Sequence, residues 1–330
     1  MSIIAAELVW RRPAEVSDAG TNGGRMTATA ITSATKNNVF PDVPQAERTA
    51  GSTKWRKVFI HVANDADLSF VAPKVFVETR TPGDDNVTFI AGTQRNTQSA
   101  ITGSEQKYGA GLLNGNVSAG AGSMSVLTED SALGIFANGM KVRISDKASI
   151  GGAGNEEYVT LTGAASYVGN VATFSFTPVL ANGYSATVTK VASVYEPGDV
   201  ACAVANWTET GAGTYNEGTY PVECDSIASI EQDWTLTFNS ATGFTVTGDT
   251  LGSVGAGNVS SDFSPVNADF SKPYFTLRSA GFGGTWATGN TITFRTSPAS
   301  IPLWYRRQVP AGAASLSGNS VIVAVDGESA

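Results

Sequence analysis

Short alternating runs of apolar and polar residues, closed off by Gly, Asn, Asp and Pro, recur along most of this chain. The clearest are KWRKVFIHV (54–62), PKVFVETR (73–80), NVTFIAG (86–92), MKVRISD (140–146), EYVTLTG (157–163) and VATFSFTP (171–178). SATVTKV (185–191), DWTLTFN (233–239), GFTVTG (243–248), KPYFTLRS (272–279), NTITFRT (290–296) and NSVIVAVD (319–326) continue the series. Successive side chains of a strand face opposite sides, so a period of two between turn residues marks strands half-buried against a core. No window of a dozen residues repeats apolar positions at i, i+3, i+4 and i+7, the mark of an amphipathic helix. The pattern predicts an all-β chain of β-sandwich or barrel modules.

The turns carry their own chemistry. In TPGDDN (81–86) Pro82 presets φ and Gly83 is expected at the position needing positive φ, while VGNVA (168–172) reads as a tight Gly-Asn hairpin. NSATG (239–243) and ATGN (287–290) read as the same device. Composition divides the chain further. Residues 1–50 lack periodicity and read as an extended N-terminal arm that either drapes over its own domain or reaches onto a neighbouring subunit. Residues 51–95 begin an outer β domain, and 96–125, rich in Gly, Ser and Ala, read as a linker. Residues 126–192 form a small inserted β domain, and 193–330 a C-terminal β domain whose strands are expected to complete the outer sandwich.

Charge narrows the partners. Charged residues are 15% of the 330, with a net charge of −8, against roughly 25% in soluble domains. Residues 1–60 hold eight Lys and Arg against five acids, and residues 201–300 hold three against nine. That gradient suits head-to-tail contacts between copies, and it offers no basic face for nucleic acid. The first residues, MSIIAAELVWRRPAE, lack a basic segment and a cleavable small-residue motif, so no signal peptide is expected. No apolar run approaches the roughly 18 residues of a membrane span.

The chemistry-bearing residues are few. His61 is the one histidine and sits in FIHVAND, where alternation groups it with Phe59 and Ala63, so it reads as a hydrogen-bonded strand residue. Cys202 and Cys224 have no Cys-x-x-Cys spacing and no neighbouring His, and are expected to be two free buried thiols. The paired acids (Asp65 and Asp67, Asp84 and Asp85, Glu156 and Glu157, Glu231 and Asp233) are the candidates for glycosidase carboxylates. Adjacent residues on a strand diverge, and Asp in turns caps backbone. The loops ANDAD (63–67) and PGDDN (82–86) are oxygen-rich but do not match the EF-hand spacing, so structural turns are expected. The residues thus point to no enzyme, no cofactor and no metal. The glycine loop AGFGGTW (280–286) is followed by ATGN and another strand, so it reads as a bend between strands. NTITFRT should turn Ile292, Phe294 and Thr296 inward. In PASIPLWYRR the prolines at 298 and 302 argue against an interior strand throughout. Trp304, Tyr305, Arg306 and Arg307, with Trp286, are residue types enriched at interfaces and form the candidate subunit contact.

Three stretches go further: NNVFPDVPQAERTAGSTKWRKVFIHVAND (37–65), VETRTPGDDNVTFIAGTQ (77–94) and SKPYFTLRSAGFGGTWATGNTITFRTSPASIPLWYRRQVPAG (271–312). They resemble a family of uncharacterised virion structural proteins of tailed bacteriophages, across both outer segments. The resemblance implies a non-enzymatic part present in many copies in a capsid, neck, tail or baseplate, and it brings no catalytic residues. Its partners would be copies of itself and other virion proteins, with assembly in the host cytoplasm. The expected role is a ring or sleeve of the tail, neck or baseplate. The alternative is a surface decoration or receptor-binding module contacting host glycan or protein, which needs an exposed aromatic platform at Trp207, Trp286 or Trp304.

Overall fold

A computed structural model describes residues 2–130, 133–186 and 188–329. It is all-β, and its chain makes two excursions from one outer sandwich. Strands β1 (Leu8–Glu15), β2 (Gly23–Ala30), β3 (Ser52–Val62), β4 (Phe70–Thr79) and β5 (Asn86–Ala91) begin the sandwich. The first excursion holds β6 (Ala110–Leu113), β7 (Ser123–Leu127), β8 (Lys141–Ser145), β9 (Glu156–Leu161), β10 (Ser166–Val168), β11 (Val171–Thr177) and β12 (Lys190–Val194). The second holds β13 (Ala203–Glu209), β14 (Ala212–Tyr215), β15 (Glu223–Cys224), β16 (Gln232–Phe238), β17 (Gly243–Gly248) and β18 (Gly252–Asn258). It continues through β19 (Val266–Asn267), β20 (Lys272–Pro273), β21 (Phe275–Thr276), β22 (Phe282–Thr285) and β23 (Thr291–Ser297). The chain then returns to the sandwich as β24 (Ser300–Val309) and β25 (Ile322–Ser329).

The sandwich sets a five-stranded sheet, β2-β1-β3-β24-β5, against the pair β25-β4. The expected pairing of the early and late segments is therefore present, from Ser300 opposite His61 to Val309 opposite Ser52. Val58, Ile60, Val62, Phe89, Leu303 and Tyr305 fill the space between the sheets. On β3 every residue from Arg56 to Val62 is buried, because the sheet's other face is covered too. Alternation fails as a guide when both faces are dry.

In the first excursion the pairing of β11 with β9 closes six strands into a barrel. Along β11 Ala172, Phe174 and Phe176 point in while the intervening residues face out, the alternation a closed small barrel demands. The VGNVA turn is the predicted two-residue hairpin, with Val168 opposite Val171 and Gly169 at φ 56°. In the second excursion Trp234, Leu236 and Phe238 of β16, with Ile292 and Phe294 of β23, pack on Phe275 and Leu277. Thr296 points inward with Ile292 and Phe294, as predicted. Its hydroxyl accepts from Trp234 Nε1 (2.8 Å) and donates to the Ile230 carbonyl (2.7 Å).

Three expectations are corrected. Residues 1–50 are not an extended arm throughout: β1 and β2 extend the sandwich sheet through β3, so of the two alternatives it is packing on their own domain that the pairing supports. Their alternation is hidden by Pro13, which sits between two register shifts, and by Arg11, which is spent inside the fold. Residues 96–125 are no linker from end to end, because β6 and most of β7 belong to the barrel sheet. Gly83 does not take positive φ; its N–H binds Asn319 Oδ1 (3.0 Å) instead. The expectation about the prolines holds: β24 pairs β3 from Ser300 to Val309 but β5 only from Leu303 to Gln308, so Pro302 lies outside the two-sided part of the strand. The Pro302 carbonyl accepts from Gly92 N (2.9 Å), just past the end of β5. A residue's N and O face the same neighbour in an antiparallel ladder, so the missing N–H lies where no partner strand remains.

Candidate functional site

The WYRR run is folded into the core. Trp304 is 0% exposed, Tyr305 6% and Arg307 6%, and Trp286 is 4% exposed in the C-terminal module. Their side chains are therefore not an exposed patch of the folded chain, and the sequence reading of them as a surface contact is corrected. The reason lies in the register: Trp304 stands opposite Lys57 on one side and Ile90 on the other, at the centre of the sheet.

Around Trp304 lies an unexpected polar node. Lys57 is 1% exposed, and its ammonium donates to the carbonyls of Gly24 (2.8 Å), Asn96 (2.8 Å) and Gln94 (3.3 Å). It lies 5.7 Å from the centre of the Trp304 ring, within cation–π range. Burial pushes the Lys57 ammonium down to about 7, while three carbonyl acceptors favour the charged form. The Trp304 indole donates to Asn96 Oδ1 (3.2 Å). Gly23, at φ 114°, backs onto this ring so closely that a Cβ would stand 2.7 Å from it. Lys57 and Trp304 thus pin the 92–98 loop and the β1–β2 hairpin to the sheet. The sequence carries little signal for it, because Lys57 follows Lys54 and Arg56 at the head of the VFIHV run and reads as one more basic residue of the strand.

Arg307 works on the opposite face. Its Nη1 donates to the Pro41 carbonyl (2.6 Å) and its guanidinium lies over Phe40 at 4.9 Å. Arg12 Nη2 holds the Asn38 carbonyl (2.6 Å). Together they clamp residues 38–41 across the mouth of a cavity of about 940 Å³, whose walls include Trp10, Tyr305, Leu316 and Val323. Arg306 is half-buried, and burial lowers its pKa.

His61 is buried as expected, between the sandwich and the C-terminal module. Arg11 Nε donates to its Nδ1 (2.7 Å), so the ring proton is on Nε2, which donates to the Ser226 carbonyl (2.7 Å). Burial holds its pKa down to about 4, and the Arg11 charge adds to that. Ser226 N binds Asp67 Oδ1 (2.6 Å), and Ser226 Oγ donates to Cys202 Sγ (3.5 Å). A neutral imidazole with both nitrogens engaged has no free lone pair for base catalysis.

The acids are engaged as well. Glu156 pairs with Arg143 (3.0 Å) and Lys147 (3.1 Å), whereas Glu157 accepts from Ala181 N, Asn182 N and Tyr184 Oη. They diverge as adjacent strand residues should. Glu231 and Asp233 converge on Arg95, at 2.9 and 3.7 Å, and Asp233 also holds Arg295 in a forked pair. In the two oxygen-rich loops Asn64 Oδ1 caps Ala66 N and Leu68 N, Asp84 binds Ala314 N, and Asp85 binds the Asn319 amide. Among the described residues, no three of His, Cys, Asp and Glu gather as a metal ion would require. Glu129 lines a cleft of about 640 Å³ between barrel and sandwich, 3.3 Å from Arg80, and burial raises its pKa to about 7.

No family model matches the chain, and no curated protein matches it. The site must be read from its own geometry. The aromatics that a receptor-binding platform would need are interior or engaged. Trp286 stacks on Phe238 at 4.1 Å over Gly213, where a Cβ would stand 2.1 Å from the indole. Trp207 is half-buried, stacked on Phe294 at 5.4 Å, with its indole donating to Glu209. The glycine loop 280–286 is not simply the bend between strands expected from the sequence: Phe282–Thr285 is itself strand β22, paired with β14.

Proposed function

We propose that this chain is a non-enzymatic structural protein of a tailed bacteriophage particle, present in many copies as part of a ring or sleeve of the tail, neck or baseplate. The observation that carries the reading is where the charged side chains go. Arg95 reaches from the sandwich to Glu231 and Asp249 of the C-terminal module (2.9 and 2.6 Å). Lys190 of the barrel holds Glu78 of the sandwich (2.6 Å), and Lys272 holds Asp65 of the sandwich across the other junction, with Asp225 of its own module as a second partner. Ionisable groups are used to fix three β modules into one body, as a part of a particle that must keep its shape requires. The resemblance of residues 37–65, 77–94 and 271–312 to phage virion proteins supplies the particle.

Immunogold electron microscopy of purified particles tests it, together with mass spectrometry of their proteins. Labelled rings or sleeves at a fixed position are expected. Absence of the chain from intact particles would overturn the proposal, as would turnover of cell-wall polymer by the purified protein.

A further inference from the structure

Twenty-one residues separate the two cysteines in sequence, yet the fold brings them together where two modules meet. Cys202 packs at the margin of the sandwich core, in the segment that leads into β13. Cys224 belongs to β15 of the C-terminal module, where it pairs with Phe275. The Cys224 thiol hydrogen-bonds the Cys202 sulfur. Ser226, two residues on, donates its hydroxyl to the same sulfur at 3.5 Å. That turn is held from the sandwich side by His61 and Asp67. Both cysteines are half-buried, and the reaction with a small reagent reads their access directly.

We propose that Cys202 and Cys224 are a dithiol that oxidises to an intramolecular disulfide, a covalent staple between the outer sandwich and the C-terminal module. The oxidant is a low-molecular-weight disulfide, and oxidised glutathione serves as the probe. The Cys202 thiolate attacks one glutathione sulfur, forming a mixed disulfide and releasing one glutathione thiolate. Cys224 then gives its proton to solvent and attacks Cys202 Sγ; the Cys202–Cys224 bond forms and the second glutathione leaves. Two protein thiols are oxidised while one glutathione disulfide becomes two glutathiones. The order of attack follows from the hydrogen bonds. Those donated by Cys224 and Ser226 lower the Cys202 pKa, and Cys224 is raised first by the same contact with Cys202 and then by burial. Thiolate character decides which sulfur reacts first.

The test uses the full chain incubated with oxidised glutathione, then unfolded under acid to trap thiols. The expected result is a fall from two titratable thiols to none, and an intact mass lower by two hydrogens on a monomer. Glu-specific digestion, which cuts at Glu209, Glu217 and Glu223 between the cysteines, should give one cross-linked peptide pair that reductant separates. The oxidised form should melt higher by roughly 5 °C, from closure of the loop between the two cysteines. Cys202→Ser should abolish the cross-link and slow glutathione uptake, while Cys224→Ser should trap a stable glutathione adduct on Cys202. Two persistent thiols in the wild type would overturn the proposal. So would a wild-type glutathione adduct that never resolves, or a disulfide formed only between two chains.

Discussion

The buried histidine makes the sharpest prediction, because acid must charge it in the unfolded chain before it can charge it in the fold. His61 is neutral in the native state, with Arg11 donating to Nδ1 and Ser226 accepting from Nε2–H. Its pKa falls from 6.5 to about 4. Between those values the unfolded state binds the extra proton and the native state does not. Stability is therefore full above about pH 6.5 and is lost as pH falls toward 4. The full shift corresponds to about 3 kcal/mol, of which about 2 kcal/mol is gone by pH 5. Glu129 acts in the opposite direction, because its pKa is raised to about 7. The native state takes up its proton before the unfolded one, so that contribution grows as pH falls from about 7 to 4.5. The two nearly offset in the wild type, and the informative quantity is the difference from His61→Gln. Urea unfolding of both chains should show their stability gap shrinking by about 2 kcal/mol from pH 7 to pH 5. The chain has one histidine, so ¹⁵N-imidazole NMR reads the same group directly. It should show a proton on Nε2 and no titration above pH 5. A midpoint near 6.5, or parallel stability curves, would refute the reasoning.

Trp304→Ala should cost about 3–5 kcal/mol in urea denaturation, the usual range for emptying a large aromatic site. Gly23→Ala should cost about 2 kcal/mol or more from positive φ and overpacking against the indole; in the double variant the costs should sum to less than their parts, since the clash partner is gone. Lys190→Met leaves Glu78, whose side chain is 2% exposed, charged and unpaired, and should cost about 3–5 kcal/mol. Adding Glu78→Leu should recover most of it. Arg307→Ala should cost about 3 kcal/mol and open residues 38–41 to limited proteolysis, while Arg306→Ala should stay within about 1 kcal/mol of wild type. Charge reversal can therefore probe assembly with an intact fold only at Arg306.

Strands were legible wherever one face is wet. VATFSFT and DWTLTF alternate in sequence and in burial alike, and the Gly-Asn hairpin follows from φ alone. Legibility fails where the environment is supplied from far along the chain. KPYFTLRS looked like one strand but yields two short ladders, because its neighbours in the C-terminal module pair with two residues at a time. The N-terminal strands escape the pattern because Arg11 and Pro13 break it; what accommodates them is His61, fifty residues along the chain, and the register shifts that flank Pro13 in its pairing with β2.

The same physics explains the misplaced interface. Trp, Tyr and Arg in sequence suggest a sticky surface because those residues combine apolar area with hydrogen-bonding tips. A chain built of successive insertions into one sandwich has internal interfaces with the same demands: large apolar area, polar tips that must find partners, and water excluded. Trp304 finds Asn96, Lys57 finds three carbonyls, and Arg307 finds Pro41 and Phe40. Composition reports that an interface exists; only topology decides whether it lies between chains or between modules of one chain. Here β24 is the returning strand on which the outer sandwich closes after both excursions, so the residues that suited a subunit contact hold the chain to itself.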